Sequence, residues 1–368
     1  MGNSTPTSWV GMDTSAERIH VAIFRGAEVK PAEEFEVGAD AKGIARLKKM
    51  LEKEPGTVKC VYEAGPCGYG LYRDLNHSGF NCEVIAPSLI PQKPGERVKT
   101  NRLDARRLGS YHRSGNLTAI HVPDPKHEAL RDLVRARDDL RRDLQRSRQR
   151  LNGCLLRHGF HYTEASLWTR KHWAWIKATK VEDENLRMVI DEYISAIQVR
   201  LEQLQRFDDR IEELAQRSEY KSKVEAYSVL RGIRTLSAMT ILAEGGDLRR
   251  YGTASQFMGS TGMVPSEHST GNNRRLGSIT KTGNGYLRRI LIEAAWSYQR
   301  RVHPGITVER RRRDQPPALL AIAKKADHRL HAKFSKLLFR YNKRPTVAAV
   351  AVARELAGFV WGIGQTLD

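Results

Sequence analysis

WVGMDTSAERIHVAIF, residues 9–24, reads as two short strands around a turn: an apolar entry, a polar Asp13-Thr14-Ser15 corner and an alternating exit through Ile19, Val21 and Ile23. Asp13 stands at the end of the first strand. The same grammar returns in VKCVYE, residues 58–63, where an apolar strand again runs into an acid, Glu63. A glycine-rich turn, AGPCGYG, then leads into a helix carrying Leu71, Tyr72 and Leu75. Residues 43–53 form a helix with Ile44, Leu47, Met50 and Leu51 on one face, CEVIAP at 82–87 is a fourth strand, and NRLDARRLGS at 101–110 opens another helix with Asp104 in its first turns. Strands alternating with helices in this order predict an α/β domain.

The position of the acids suggests a chemistry. Hard divalent cations are held by a few carboxylates together with water and substrate phosphate oxygens. Asp13, Glu63 and Asp104, each leaving an apolar strand or opening a helix, are therefore candidate ligands for Mg²⁺ or Mn²⁺. Taken singly, each is more often a strand-end cap or a surface acid; the three together are harder to dismiss.

The rest of the chain narrows the partner. Over 368 residues the formal net charge is +20, which points to a polyanion, and 40% hydrophobic residues suffice for two or three cored domains. No apolar run reads as approaching the about 20 residues of a spanning helix, so nucleic acid is expected rather than a membrane. The four cysteines, Cys60, Cys67, Cys82 and Cys154, lack zinc or disulfide spacing, and MGNSTPTSWV lacks the layout of a signal peptide. The expected location is cytoplasmic, at the nucleoid.

From Pro125 to Gly159 a long amphipathic helix carries Leu130, Leu133, Leu140, Leu144, Leu151 and Cys154 at heptad spacing, with Arg137 and Ser147 interrupting the seam. Its other faces are dense in arginine, and Arg141, Arg142 and Arg146 are candidates for phosphate contact; a solvated charged face is the alternative. A second heptad helix runs from about Asn185 to Arg217 with Ile190, Ile194, Ile197, Leu201, Leu204 and Ile211 on its seam. Together the two predict a coiled-coil hairpin. Between them Trp168, Trp173 and Trp175 stand among basic residues, placed either to stack on unpaired bases or to pin the hairpin tip. Farther on, Gly259 to Arg289 collects hydroxyls, glycines and cations with little apolar filling, a composition suited to cradling phosphate and also that of a plain polar loop. Arg274, Arg275, Lys281 and Arg288 are its candidate phosphate contacts. An apolar helix, 347–360, closes the chain.

GMDTSAERIHVAIF, VYEAGPCGYGLYRDL, VIAPSLIPQKPGERVKTNRLDARRLG, GMVPSEHSTGNNRRLGSITKTGNGYLRRILIEAAW and, at the end, VAAVAVARELAGFVW resemble the transposases of the IS110/IS1111 insertion-sequence family. The resemblance implies an N-terminal RuvC-like domain of the RNase H fold with a DEDD acid set, and a mainly helical C-terminal transposase domain with a catalytic serine. It puts Asp13, Glu63 and Asp104 on the first, second and fourth acids, and leaves Asn101 at the third, where a carbonyl oxygen replaces a charge. It places the serine at Ser269, with Thr270 the rival hydroxyl and Ser266 a neighbour that orients or caps. It further implies metal-assisted attack of that serine on a DNA phosphate, a covalent phosphoserine link, a noncoding guide RNA encoded by the element, and a homo-oligomer, dimer or tetramer. The expected organisation is 1–124 RuvC-like, 125–220 coiled-coil hairpin and 221–368 transposase domain. Two other readings stay open: a metal-dependent junction nuclease that uses the acids alone, and a nucleic-acid-binding protein whose catalytic site has decayed at Asn101.

Overall fold

Strands β1 (Thr7–Thr14) and β2 (Arg18–Arg25) pair antiparallel through the corner at residues 15–17, with Trp9 opposite Phe24 and Asp13 opposite His20. Around them grows a five-stranded mixed sheet of order β3-β2-β1-β4-β5. β3 (Glu33–Gly38) extends the antiparallel edge, and β4 (Thr57–Glu63) and β5 (Asn81–Ile85) run parallel to β1 on the other side. Helices α1 (Ala41–Leu51), capped by the Asp40 side chain on the Gly43 N–H, and α2 (Gly70–His77) supply the crossovers. α3 (Asn101–Arg113), capped by Thr100, closes the unit.

The computed structural model describes residues 6–87, 90–91, 100–270, 273, 275–300 and 302–367. These separate into two units, Met1–Pro123 and Asp124–Asp368.

The two-residue period of a strand sorts the first unit into layers. Val10, Met12, Cys60 and Tyr62 point to the face that buries Leu47, Leu51 and Leu75 of α1 and α2. Phe24, Val61 and Ile85 point to the opposite face, where Ala105 and Leu108 of α3 cover them. β3 was not expected, because EEFEVG is half acid. Its glutamates are answered by arginines: Arg102 and Arg106 of α3 both donate to Glu34, and Arg18 donates to Glu36. An edge strand tolerates such charge, which also blunts its unpaired rim.

Among the described residues the second unit is helical apart from one small hairpin. α4 (Pro125–Arg157), α5 (Arg170–Ala178) and α6 (Glu184–Ala215) form a long helical hairpin. Leu144, Leu151, Cys154, Ile190 and Ile197 share a core near its tip, while Leu130, Val134, Ile211 and Ala215 join the core at its base, so the two long helices run antiparallel. Arg137, an interruption in the apolar seam, makes a bidentate pair with Asp208 across it (2.8 and 3.1 Å). Leu201, expected on the seam, is exposed instead, so the packed face of α6 lies to one side of it. At the tip, Trp168, Trp173 and Trp175 pack with Tyr162 and His172, and Arg148 lies over the Trp168 ring. The tip is pinned by aromatic packing, as one of the two readings has it.

The base continues through α7 (Ser218–Tyr227), α8 (Thr235–Gly245), α9 (Ala254–Ser260), the hairpin β6 (Pro265–Glu267) and β7 (Leu276–Ile279), then α10 (Gly285–Ala295), α11 (Ile306–Arg312), α12 (Pro317–Ser335) and α13 (Pro345–Gly364). α13 corrects an expectation, since it is long and apolar enough by composition to cross a membrane. Within the unit, Val352, Leu356, Val360 and Ile363 are fully buried in the shared core. Its Glu355 is held by Lys333 and Arg329 of α12 (2.5 and 3.1 Å).

The Glu34 clasp has a pH signature. Hydrogen bonds from Arg106, then Arg102, outweigh burial and hold its carboxyl down to about 2 from the ordinary 4.5. A depressed acid stabilises the fold above its ordinary value, and the contribution is lost as pH falls from 4.5 toward 2. Glu34→Gln should therefore cost about 1–2 kcal/mol at pH 7, discounted for the exposed arginines, and the gap to wild type should close over that acid window in thermal melts.

Candidate active site

Gly11 decides where the acids go. A Cβ on it would stand 2.1 Å from the Ala105 carbonyl oxygen and 2.2 Å from the Gly109 nitrogen, so α3 lies with its backbone directly on β1. Gly109 answers from the helix side, where a Cβ would press into the Phe24 ring at 2.8 Å. Side chains two residues apart on a strand share a face, so Asp13 follows Gly11, and Glu63 follows Val61, on the α3 side of the sheet. β1 and β4 are parallel neighbours paired up to Met12 with Tyr62, which makes Asp13 and Glu63 the next residues at the same sheet end. Asp104 sits on α3 immediately before Ala105, half-buried, with Arg107 at 3.8 Å. Asn101, one turn earlier on the same face of the helix, is exposed.

Sheet and helix thus bring Asp13, Glu63 and Asp104 to one end and one face of the first unit. All are hard oxygen donors, a chemistry that suits Mg²⁺ or Mn²⁺. Among the described residues no three Asp, Glu, His or Cys side chains close into a metal-holding group by themselves. Protein carboxylates need supply only part of a Mg²⁺ shell when substrate phosphate and water complete it.

Ser269 lies just past β6, in the connection from β6 to β7 of a small hairpin. β6 and β7 pair antiparallel with an irregular register between Pro265 and Glu267. Backbone bonds flank Ser269 on both sides: His268 N–H donates to Arg275 at 2.9 Å, and Thr270 and Asn273 exchange bonds at 3.2 and 3.1 Å. The Ser269 hydroxyl donates to a carboxylate oxygen of Glu267 at 2.7 Å and accepts the Arg275 N–H at 3.2 Å. Ser266 faces the other way, its Oγ lying over Gly277. Residues 267–270 are exposed.

The hairpin's roots are tied firmly. Lys281 N–H donates to Gly262, and Asn284 N–H to Ser260. The Asn284 side chain caps α10 through the Tyr286 and Leu287 N–H groups, and donates to Glu244 at 2.6 Å. Glu244, whose side chain is fully buried on α8, is also gripped by Arg135 of α4 through two bonds (2.7 and 2.9 Å). Asp138, buried on α4, pairs with Arg141, Arg142 and, on α10, Arg289, each within 3 Å. Two buried acids therefore lock the hairpin base to the helices that carry the serine segment.

The expected phosphate contacts divide. Arg275 and Lys281 are exposed on the serine hairpin and at its exit, whereas Arg288 spends its guanidinium on the carbonyls of Thr261 and Lys281. Arg141 and Arg142 are bound by Asp138, and Arg146 by Asp143, all on their own helix. Arg274 lies outside the described residues. Glu267 was not singled out as a site residue, although it stands two residues from Ser269 and the two side chains face the same way.

The DEDD transposase domain model of IS110 elements matches residues 10–160, and the model described as the transposase IS116/IS110/IS902 family matches residues 227–307. The chain is 38% identical over 361 residues to a putative transposase, y4qE, of Sinorhizobium fredii, covering 97% of this chain and 88% of that one. It is 34% identical over 343 residues to the transposase for insertion sequence element IS1533 of Leptospira borgpetersenii, covering 89% and 96%. The transposase for IS1111A of Coxiella burnetii is 23% identical over 63% of each chain. The protein is a DNA transposase, an enzyme that recombines DNA. Within that class it belongs to the IS116/IS110/IS902 family of insertion-sequence transposases.

Gly11→Ala separates helix from sheet without touching an acid. It should destabilise the first unit by about 1–3 kcal/mol, seen as a lowered melting temperature, and suppress DNA cleavage. Gly259→Ala, where open space surrounds the added methyl, should leave both unchanged.

Proposed function

We propose that the chain is an RNA-guided recombinase that cuts and rejoins DNA through a covalent phosphoserine on Ser269. The first unit acts as a RuvC-like domain: its 3-2-1-4-5 strand order, with β1 to β3 antiparallel and the rest parallel, supports this reading. The helical hairpin of α4 and α6 serves as the coiled coil. The observation that carries the proposal is the Ser269 hydroxyl, exposed, held by a backbone amide and hydrogen-bonded to a carboxylate on a stapled hairpin.

Asp13, Glu63 and Asp104 would hold Mg²⁺ or Mn²⁺, with Asn101 a neutral fourth donor. When bound, the ion supplies Lewis-acid stabilisation of charge on phosphate oxygens. Ser269 attacks the DNA phosphorus; Arg275 and Lys281 neutralise charge on the strand beside it. The phosphoester formed conserves the bond energy, so the strands rejoin in a new arrangement without an external energy source. Arg141, Arg142 and Arg146 reach phosphate by exchanging a carboxylate partner for it, and Arg274 belongs to the same proposed set.

The +20 charge suits a complex with an element-encoded guide RNA as well as DNA. Strand exchange requires several strands to be cut in concert, which assigns the working form to a homo-oligomer, a dimer or tetramer.

Two measurements test this. Protein purified from cells carrying the whole element should bring down one discrete RNA encoded beside the gene; a heterogeneous mixture would leave the guide without support. With that complex and end-labelled DNA spanning the element's terminus, denaturing gels should show a protein–DNA adduct. Ser269→Ala should abolish it, as should removal of divalent metal with EDTA, and Asp13→Asn should lower it by about 100-fold or more. Cleavage by Ser269→Ala at the wild-type rate would instead identify a nuclease that uses the acids alone.

A further inference from the structure

We propose that Glu267 is the general base that takes the Ser269 proton, an inference that rests on Ser269 being the nucleophile. A serine hydroxyl is a weak nucleophile until its proton has somewhere to go. Here the hydroxyl is oriented at both of its functions. Its oxygen accepts the Arg275 N–H at 3.2 Å, and its hydrogen is directed at Glu267 Oε1, 2.7 Å away. That separation is the heavy-atom reach a proton acceptor requires.

The backbone explains why the pair is held. Residues 267 and 269 face the same way, as the 2.7 Å bond between them shows, and the backbone bonds of His268 to Arg275 and of Thr270 with Asn273 hold the chain on both sides of the serine. Glu267 itself is paired in register with Leu276 of β7. Both side chains are exposed, so a DNA phosphate can reach the serine without displacing the carboxylate.

The step balances as follows. The Ser269 O–H bond breaks and its proton passes to the Glu267 carboxylate as Oγ forms a bond to phosphorus. The phosphorus–oxygen bond to the departing strand breaks, and that strand leaves as a hydroxyl after taking a proton from water. In rejoining, a strand hydroxyl attacks the phosphoserine, gives its proton to water, and the released Ser269 oxygen recovers its proton from Glu267. Because Glu267 is exposed, its carboxyl re-equilibrates with water while the covalent intermediate lasts and takes up a proton again before the serine leaves.

The test is single-turnover adduct formation by the full-length protein, with the nucleic acid that copurifies with it, on end-labelled DNA from pH 4.5 to 9. Glu267→Gln keeps the acceptor oxygen and the hairpin geometry but removes the basicity. It should form adduct about 100-fold or more slowly and lose the acid limb of the pH profile, with DNA affinity and melting temperature unchanged. Glu267→Asp should recover part of the rate and restore the limb. A Glu267→Gln protein that forms adduct within a few-fold of wild type overturns the assignment, and so does one that is slow but keeps the wild-type acid limb. Ser269→Ala separates the two levels. Adduct persisting in Ser269→Ala sinks the nucleophile and this proposal with it, whereas adduct lost in Ser269→Ala but normal in Glu267→Gln sinks the base alone.

Discussion

Everything the first unit offers chemically depends on one close approach, that of the α3 backbone to the β1 backbone at Gly11 and Gly109. With no Cβ on either side, the helix settles at a distance that ordinary side chains forbid. That contact is local, but it sets the height of Asp104 above the strand ends that carry Asp13 and Glu63. A helix seated farther out would keep the same residues and the same fold while spreading its carboxylates apart. The placement of these three candidate acids therefore rests on two absent methyl groups.

In the second unit the organising device is electrostatic. Glu244 and Asp138 are buried carboxylates, and each is surrounded by arginine or amide donors from more than one helix. A buried charge stripped of its partners is costly, so such a cluster tolerates few alternative arrangements. Burial of apolar area alone would let the helices slide; the bidentate Arg135–Glu244 and Arg137–Asp208 pairs specify their register. These pairs take cations and carboxylates together, so the formal excess of +20 is left for the rest of the surface.

How much of this was legible depends on the element. Strands at 9–24 and 58–63, and the helices at 101, 125 and 185, announce themselves because apolar periodicity and burial coincide there. β3 escaped notice because its edge position lets acids replace apolar residues, and their partners lie about 70 residues away on α3. The β6–β7 hairpin escaped because its order comes from backbone bonds among exposed polar residues, which leave no hydrophobic pattern. Arg288 was legible as a cation but not as a clamp on carbonyls, since its partners are set by a turn that only the fold creates. The candidate acids were visible as residues running out of apolar strands; their common face follows from the two-residue period once β1 and β4 are known to be parallel neighbours.

The long hairpin has a consequence of its own. α4 is continuous for 33 residues, a rod of about 50 Å, with one core at its base and an aromatic cluster at its far end. Because each residue adds about 1.5 Å of length and about 100° of rotation, reach and facing direction are coupled along it. Insertions of matched heptads in both helices lengthen the arm while keeping its tip facing the same way, whereas single-residue changes turn the tip aside. Relatives with arms of different length are thus expected to differ by whole helical repeats, as a ruler is extended by its own graduations.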